Sequence, residues 1–325
     1  SRELQLRRST IFSLASAAPP SPAGAAPTRH LAMCLLIIDD LPHEEIWRRW
    51  AMGPSSTSVS LDSGIGASRL DVHVSFYIHA KYPERVRSAW VRRHMIDETF
   101  RPEWGSVEIT RAMVALLRAA LGADAASEAG IGDGGSAPCD RFAYASESCL
   151  PVTPLSRLAS ALYDTGDGAG HSWLGNLRCT PNNGYSRQKQ FDAAHPSVPT
   201  DYVWKSDQWV LLTRPSAEMV AAADGRMRRV EEQVAGRRGH GRRPSQPRDW
   251  PFWRYFDRMT ASDEMYIATA LAFVTGKGRQ DAGGKDDGGV DGSLGAHVVW
   301  SFGTGVIGSS LTHADWGSSP RSPET

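Results

Sequence analysis

Ser146-Glu147-Ser148 ends a short apolar run, RFAYA, and Asp263-Glu264 follows Ser262 just ahead of the apolar run MYIATALAFV. A carboxylate between two hydroxyls at a strand tip presents groups that pair with the hydroxyls of a sugar or a ribose. The same residues have a plainer use, which is to satisfy backbone groups at a tight turn before Pro151. Acids at a helix start are equally double-sided. They complement the positive end of the helix dipole, or one of them takes a proton from a substrate hydroxyl as a general base. Residue types alone leave both questions open.

Two other patterns imitate catalytic motifs and fail on their surroundings. Gly303-Thr304-Gly305-Val306-Ile307-Gly308 fits G-x-G-x-x-G behind the strand-like HVVWSF. A dinucleotide fingerprint also needs a helix next and an acid about twenty residues on. Ser309-Ser310-Leu311-Thr312 follows instead, so the run reads as a turn and gives little support to a nicotinamide-dependent oxidoreductase. Gly170-His171-Ser172-Trp173-Leu174 has Leu where a nucleophile elbow needs Gly. Asp286, Asp287 and Asp291 lie in a Gly-rich stretch that a flexible acidic loop explains, and the histidines show no metal-ligand spacing.

The elements that must position these residues alternate along the chain. LAMCLLIIDD, VHVSFYIHA, RFAYASES, DQWVLLT and HVVWSF read as strands. HEEIWRRWA, ERVRSAWVRRHM, PLSRLASALYD, SAEMVAAA and SDEMYIATALAFV read as helices, as does GSVEITRAMVALLRAAL, where Ile109, Met113, Leu116, Leu117 and Leu121 fall at helical spacing. Alternation with continuously apolar strands predicts an α/β fold, a mostly parallel central sheet flanked by helices on both faces. Ligands of such sheets lie beyond the carboxyl ends of the strands. That places the His79-Ala80-Lys81 and Ser146-Glu147-Ser148 tips on one rim.

Residues 1–30 read as a disordered stem or leader and 31–325 as one domain. Three polar, Gly-rich or Arg-rich stretches, 122–138, 226–248 and 276–296, read as long surface insertions. Lys plus Arg and Asp plus Glu each number 36, so the net charge is zero. Nucleic acid is thereby disfavoured as a partner, since it demands a basic excess. Cys34, Cys139, Cys149 and Cys179 contain no C-x-x-C pair, which excludes a zinc site of the usual spacing and leaves a Cys139–Cys149 disulfide open. No apolar run is long enough for a bilayer span, and the start on Ser1 rather than Met leads us to expect a segment upstream.

Taken in order, LPHEEIW (41–47), Trp104-Gly105, SESCLP (146–151), VWKSDQWVLLTR (203–214), SDEMYIAT (262–269) and His313-Ala314-Asp315-Trp316 form a recognisable series. It resembles the plant-type branch of the core-2/I-branching β-1,6-N-acetylglucosaminyltransferase family, which reads approximately LP…LW, WG, LLSESCIP, WRKGSQW, DEHYLPT and VDW. The resemblance covers about 30–325, with Ser322-Pro323-Glu324-Thr325 echoing the family's H-P-x-T. It implies a GT-A-like, Rossmann-type fold and an inverting transferase that needs no divalent metal or other cofactor. Glu264 is the implied base, with Asp263 as a capping or supporting group. Glu147 and Ser148 are implied on the donor side, Lys205, Gln208 and Trp209 at the border of the cleft, and Arg187 on the acceptor side. Trp316, like Trp209, either stacks on a sugar or packs in the core. The implied co-substrates are a UDP-sugar (GlcNAc, xylose or glucuronate) and a glycan or glycoprotein acceptor. The implied setting is the lumenal side of the Golgi membrane, held there by an anchor ahead of Ser1.

Two positions depart from the pattern. Ser309 stands where the plant-type branch has an Arg before S-L-T, and a further basic position falls beyond Thr325. Lys81 ends the second strand where many relatives carry Asp. Basic side chains take the place of the metal at the diphosphate in animal members, so Lys81 or Arg321 is the expected substitute here. The same departure motivates the alternative of a catalytically inactive, glycan-binding member.

Overall fold

A run such as LAMCLLII has no polar face, so its strand must be covered on both sides. The computed structural model, which describes residues 28–53, 59–60, 69–128, 138–163, 171–175, 198, 202–237, 250–259, 261–275 and 306–307, places it at the centre of a sheet. Among the described residues the strands are β1 (Thr28–Ile37), β2 (Val59–Ser60), β3 (Arg69–Ala80), β4 (Arg141–Ser146), β5 (Ser172–Trp173), β6 (Leu211–Thr213) and β7 (Val306–Ile307). They lie in the order β2-β3-β1-β4-β6-β5-β7. The three long strands β3, β1 and β4 are parallel, while β4–β6 and β6–β5 are antiparallel and β5–β7 is parallel. The α/β class read from the sequence therefore holds, with a parallel centre and shorter strands added beside it.

Register fixes the rim. Ile37 lies opposite Ala80, and Leu36 opposite Ser146. The next residues continue the ladder: Lys81 N–H donates to Ile37 O at 2.9 Å and Glu147 N–H to Leu36 O at 3.2 Å. Lys81 and Glu147 thus flank the end of β1, and Asp39 and Asp40 follow β1 after Ile38.

Seven helices among the described residues cover the sheet: α1 (Glu44–Met52), α2 (Ala89–His94), α3 (Val107–Glu128), α4 (Leu155–Tyr163), α5 (Arg214–Ala221), α6 (Ala223–Arg237) and α7 (Tyr266–Thr275). Alternation along β1 splits the core in two. Leu31, Met33, Leu35 and Ile37 pack with Trp47 of α1, Val91 of α2 and Leu155 of α4. Ala32, Cys34 and Leu36 pack with Met113, Leu116 and Leu117 of α3 and Leu271 of α7. Each fully buried Leu among these contributes about 1.5–3 kcal/mol.

Several expectations are corrected. The stretch 122–138 is not all loop, because α3 runs on to Glu128. GADAASE is Ala-rich, and extending a helix that already exists carries no nucleation cost. Much of 226–248 is likewise helical, as α6 reaches Arg237 and buries Met227 completely. The leader assigned to 1–30 overlaps β1, which begins at Thr28. The helix expected over ERVRSAWVRRHM starts only at Ala89, since Ser88 caps it by accepting from the Trp90 and Val91 N–H groups. The strand over DQWVLLT is confined to Leu211–Thr213. Val306-Ile307, expected within a turn, pair as a strand with β5. No disulfide joins Cys139 to Cys149. The proposed insertion 276–296 and the strand HVVWSF lie outside the described residues. No helix among the described residues is long and apolar enough to cross a membrane.

Candidate active site

Glu264 belongs to a 3-10 turn, Ser262–Glu264, rather than to the helix that follows it. Ala261 begins the turn in the left-handed region, φ 54° and ψ 47°, a conformation that costs an L-residue roughly 1–2 kcal/mol. Tertiary bonds hold it there. Ala261 N–H donates to Gly105 O at 3.3 Å, and the wholly buried Ser262 hydroxyl lies 2.7 Å from Thr110 Oγ1 on α3. Asp263 turns inward with 7% exposure, and its Oδ1 has no partner among the described residues. Burial pushes its carboxyl up to about 6, helped by the Glu264 charge and opposed by backbone N–H groups and Lys205. Glu264 turns the other way. Its side chain is 23% exposed, and its Oε2 is ion-paired with Lys205, itself 12% exposed.

Lys205 is presented by a strap across α7. Trp204 N–H donates to Thr269 Oγ1 at 3.0 Å, and Ser206 N–H donates to Glu264 O at 2.8 Å. The chain then runs into β6, with Tyr144 N–H donating to Val210 O at 3.0 Å. Because β6 is antiparallel to β4, going backwards from Val210 through Trp209 and Gln208 leads toward the carboxyl end of β4. Trp209 is half-buried against the core beneath the sheet, as an indole at the edge of a core would be.

The Ser146-Glu147-Ser148 corner is built differently. Ser146 Oγ and Ser148 Oγ are 2.8 Å apart, Ser146 N–H donates to Cys149 Sγ at 3.3 Å, and Cys149 N–H donates to Ser146 O at 3.1 Å. Much of the polar content of the corner thus closes its own turn, and Cys149 is a packed thiol. Glu147 remains half-buried on the rim. Burial raises its pKa, its own backbone hydrogen bond opposes this, and the Asp39 carboxylate raises it further. Asp39 was not among the residues singled out from sequence, although its place two residues beyond a central parallel strand was a usable signal. Lys81 Nζ, on the other side of β1, pairs with Glu103 Oε1 at 3.1 Å; that Glu103 side chain is 78% exposed.

The structure therefore brings Lys205 and Glu264 into contact and puts Lys81 and Glu147 on one rim. Glu103 and Gly105 link the two groups, since Glu103 holds Lys81 while Gly105 holds Ala261. Arg187, Trp316, Ser309 and Arg321 lie outside the described residues. Ser172, at the near-miss elbow, is fully buried and serves β6, accepting from Thr213 N–H at 2.9 Å. Two cavities of about 550 and 470 Å³ lie between α1 and residues 151–156, and between α3 and residues 253–257. Neither is lined by Glu264, Lys205 or Glu147. Among the described residues no three His, Cys, Asp or Glu side chains gather as a metal site.

Comparison with known proteins bears on this geometry. Residues 71–325 match the family described as Core-2/I-Branching enzyme. A protein of Oryza sativa subsp. japonica named Glycosyltransferase BC10 is 26% identical over 196 residues, which is 57% of this chain. The match spans 41% of the length of that relative. The sheet, parallel at its centre and flanked by helices, is consistent with a GT-A-like α/β fold.

Proposed function

Because the chain belongs to the core-2/I-branching enzyme family, we propose that it is an inverting glycosyltransferase. It transfers GlcNAc, xylose or glucuronate from a UDP-sugar to a glycan or glycoprotein acceptor in the Golgi lumen, and it does so without a metal. The observation that carries this reading is the Glu264 carboxylate, turned outward on an anchored turn and fixed by Lys205.

In the reaction, the acceptor hydroxyl oxygen attacks the anomeric carbon opposite the diphosphate. The new C–O bond forms as the bond to the phosphate oxygen breaks, and UDP leaves with that electron pair. The hydroxyl proton passes to Glu264 through Oε1, which has no protein partner among the described residues. A positioned base of this kind contributes roughly 10²–10⁴ in rate. Lys205 binds Oε2 and so fixes the direction in which the other oxygen points.

The charge developing on the departing diphosphate needs a cation, since such stabilisation is usually the largest single contribution. Lys81 fills this role in our reading. Its partner Glu103 is exposed, and an exposed ion pair of this kind is worth only about 0–1 kcal/mol, so a phosphate displaces it readily.

A panel of UDP-sugars, assayed for UDP release with and without EDTA, tests the reading. Release from one donor, undiminished by EDTA, is expected. Glycan binding without release from any donor would instead assign the non-catalytic, glycan-binding alternative.

A further inference from the structure

The turn before α3 exposes an aromatic side chain for which the fold has no use. Trp104 is 86% exposed, although an indole is a side chain that proteins gain by burying, at about 150–250 Å² each. The turn that carries it is tightly built. Ser106 N–H donates to Glu103 O at 3.0 Å, Glu103 N–H donates to Ser106 Oγ at 3.1 Å, and Gly105 has φ 70°. A positive φ at the third position is the mark of a type II turn, and glycine supplies it without strain. Trp104 therefore stands at the corner of a rigid turn, and no ring or cation contact engages it among the described residues.

The neighbours of Trp104 give that corner its meaning. Gly105 O accepts from Ala261, three residues before Glu264, and Glu103 pairs with Lys81 on the rim. The residues on either side of Trp104 thus tie its turn both to the turn that carries the base and to the strand tip assigned to the donor. A pyranose with an unbroken C–H face, as in β-galactose, lays its positively polarised hydrogens on the negative face of an aromatic ring. We propose that Trp104 is the platform on which a sugar ring of the acceptor stacks, so that one of its hydroxyls is presented to Glu264. This rests on the glycosyltransferase reading and adds to it a residue that selects acceptors by the apolar face of their sugar.

Saturation-transfer NMR with methyl β-galactoside, on wild type, Trp104→Phe and Trp104→Ala, tests the assignment, with UDP affinity measured in parallel by calorimetry. Wild type and Trp104→Phe should transfer saturation to the ring C–H protons. Trp104→Ala should bind the sugar at least about tenfold more weakly, with UDP affinity unchanged. Absence of transfer to wild type, equal galactoside binding by Trp104→Ala, or a matching loss of UDP affinity would overturn the proposal. UDP release by wild type is a separate readout, so failure of the stacking role is distinguishable from failure of the transferase reading.

Discussion

Two acidic corners sit at the ends of elements in this fold, and they are supported in opposite ways. At Ser146-Glu147-Ser148 the hydroxyls and the neighbouring thiol bond to one another, so the corner is largely self-contained. At Ser262-Asp263-Glu264 two backbone bonds close the turn, Glu264 N–H to Ala261 O and Met265 N–H to Ser262 O, but the supports that hold it in place come from elsewhere: Gly105, Thr110 on α3, and Lys205 on the strap over α7. A self-contained turn persists whatever is bound beside it. A turn held by three distant elements exists only when the whole fold is in place, and its one outward group is Glu264. That difference is why the later corner is assigned the chemistry and the earlier one the binding.

Breaking the Lys205–Glu264 pair should have the largest effect. Lys205→Met releases Glu264 from its fixed direction, and turnover should fall about 100-fold. The KM for the UDP-sugar should change little; steady-state kinetics would show the contrast.

Asp263 sharpens the comparison through pH. Its folded pKa, about 6, is above the ordinary 3.8. The folded protein therefore holds a proton between about 4 and 6 that the unfolded chain has released, and stability falls as pH rises through that window. The cost above pH 6 is about 2–3 kcal/mol. Asp263→Asn should remove this dependence and raise the Tm at pH 7; denaturation scans at pH 4, 5, 6 and 7 (roughly spanning the window) would check it.

The sheet was legible because β1 is apolar on both faces, and α3 because its apolar residues recur at helical spacing. The helical ends of 122–138 and 226–248 were not, since Gly, Arg and Ala read as loop while Met227 finds a core that only the folded chain provides. The turn at Ala261 was equally hidden, because no glycine marks its left-handed backbone. Glu264 and Lys205 were each picked out, yet their pairing across 59 residues is a tertiary fact that no local pattern encodes.

Smaller effects separate the corners further. Thr110→Val leaves the buried Ser262 hydroxyl without its partner and should cost about 1–2 kcal/mol, read from chemical denaturation. Glu147→Gln should leave stability within about 0.5 kcal/mol and raise the KM for the UDP-sugar several-fold, a binding effect without a matching loss of kcat.

Replacing one oxygen of the outward carboxylate by nitrogen is the most direct trial. Glu264→Gln, compared with wild type for UDP release on the best donor and acceptor, should fold normally by circular dichroism and lose at least about 100-fold in kcat. A folded Glu264→Gln protein that turns over at the wild-type rate would contradict the account.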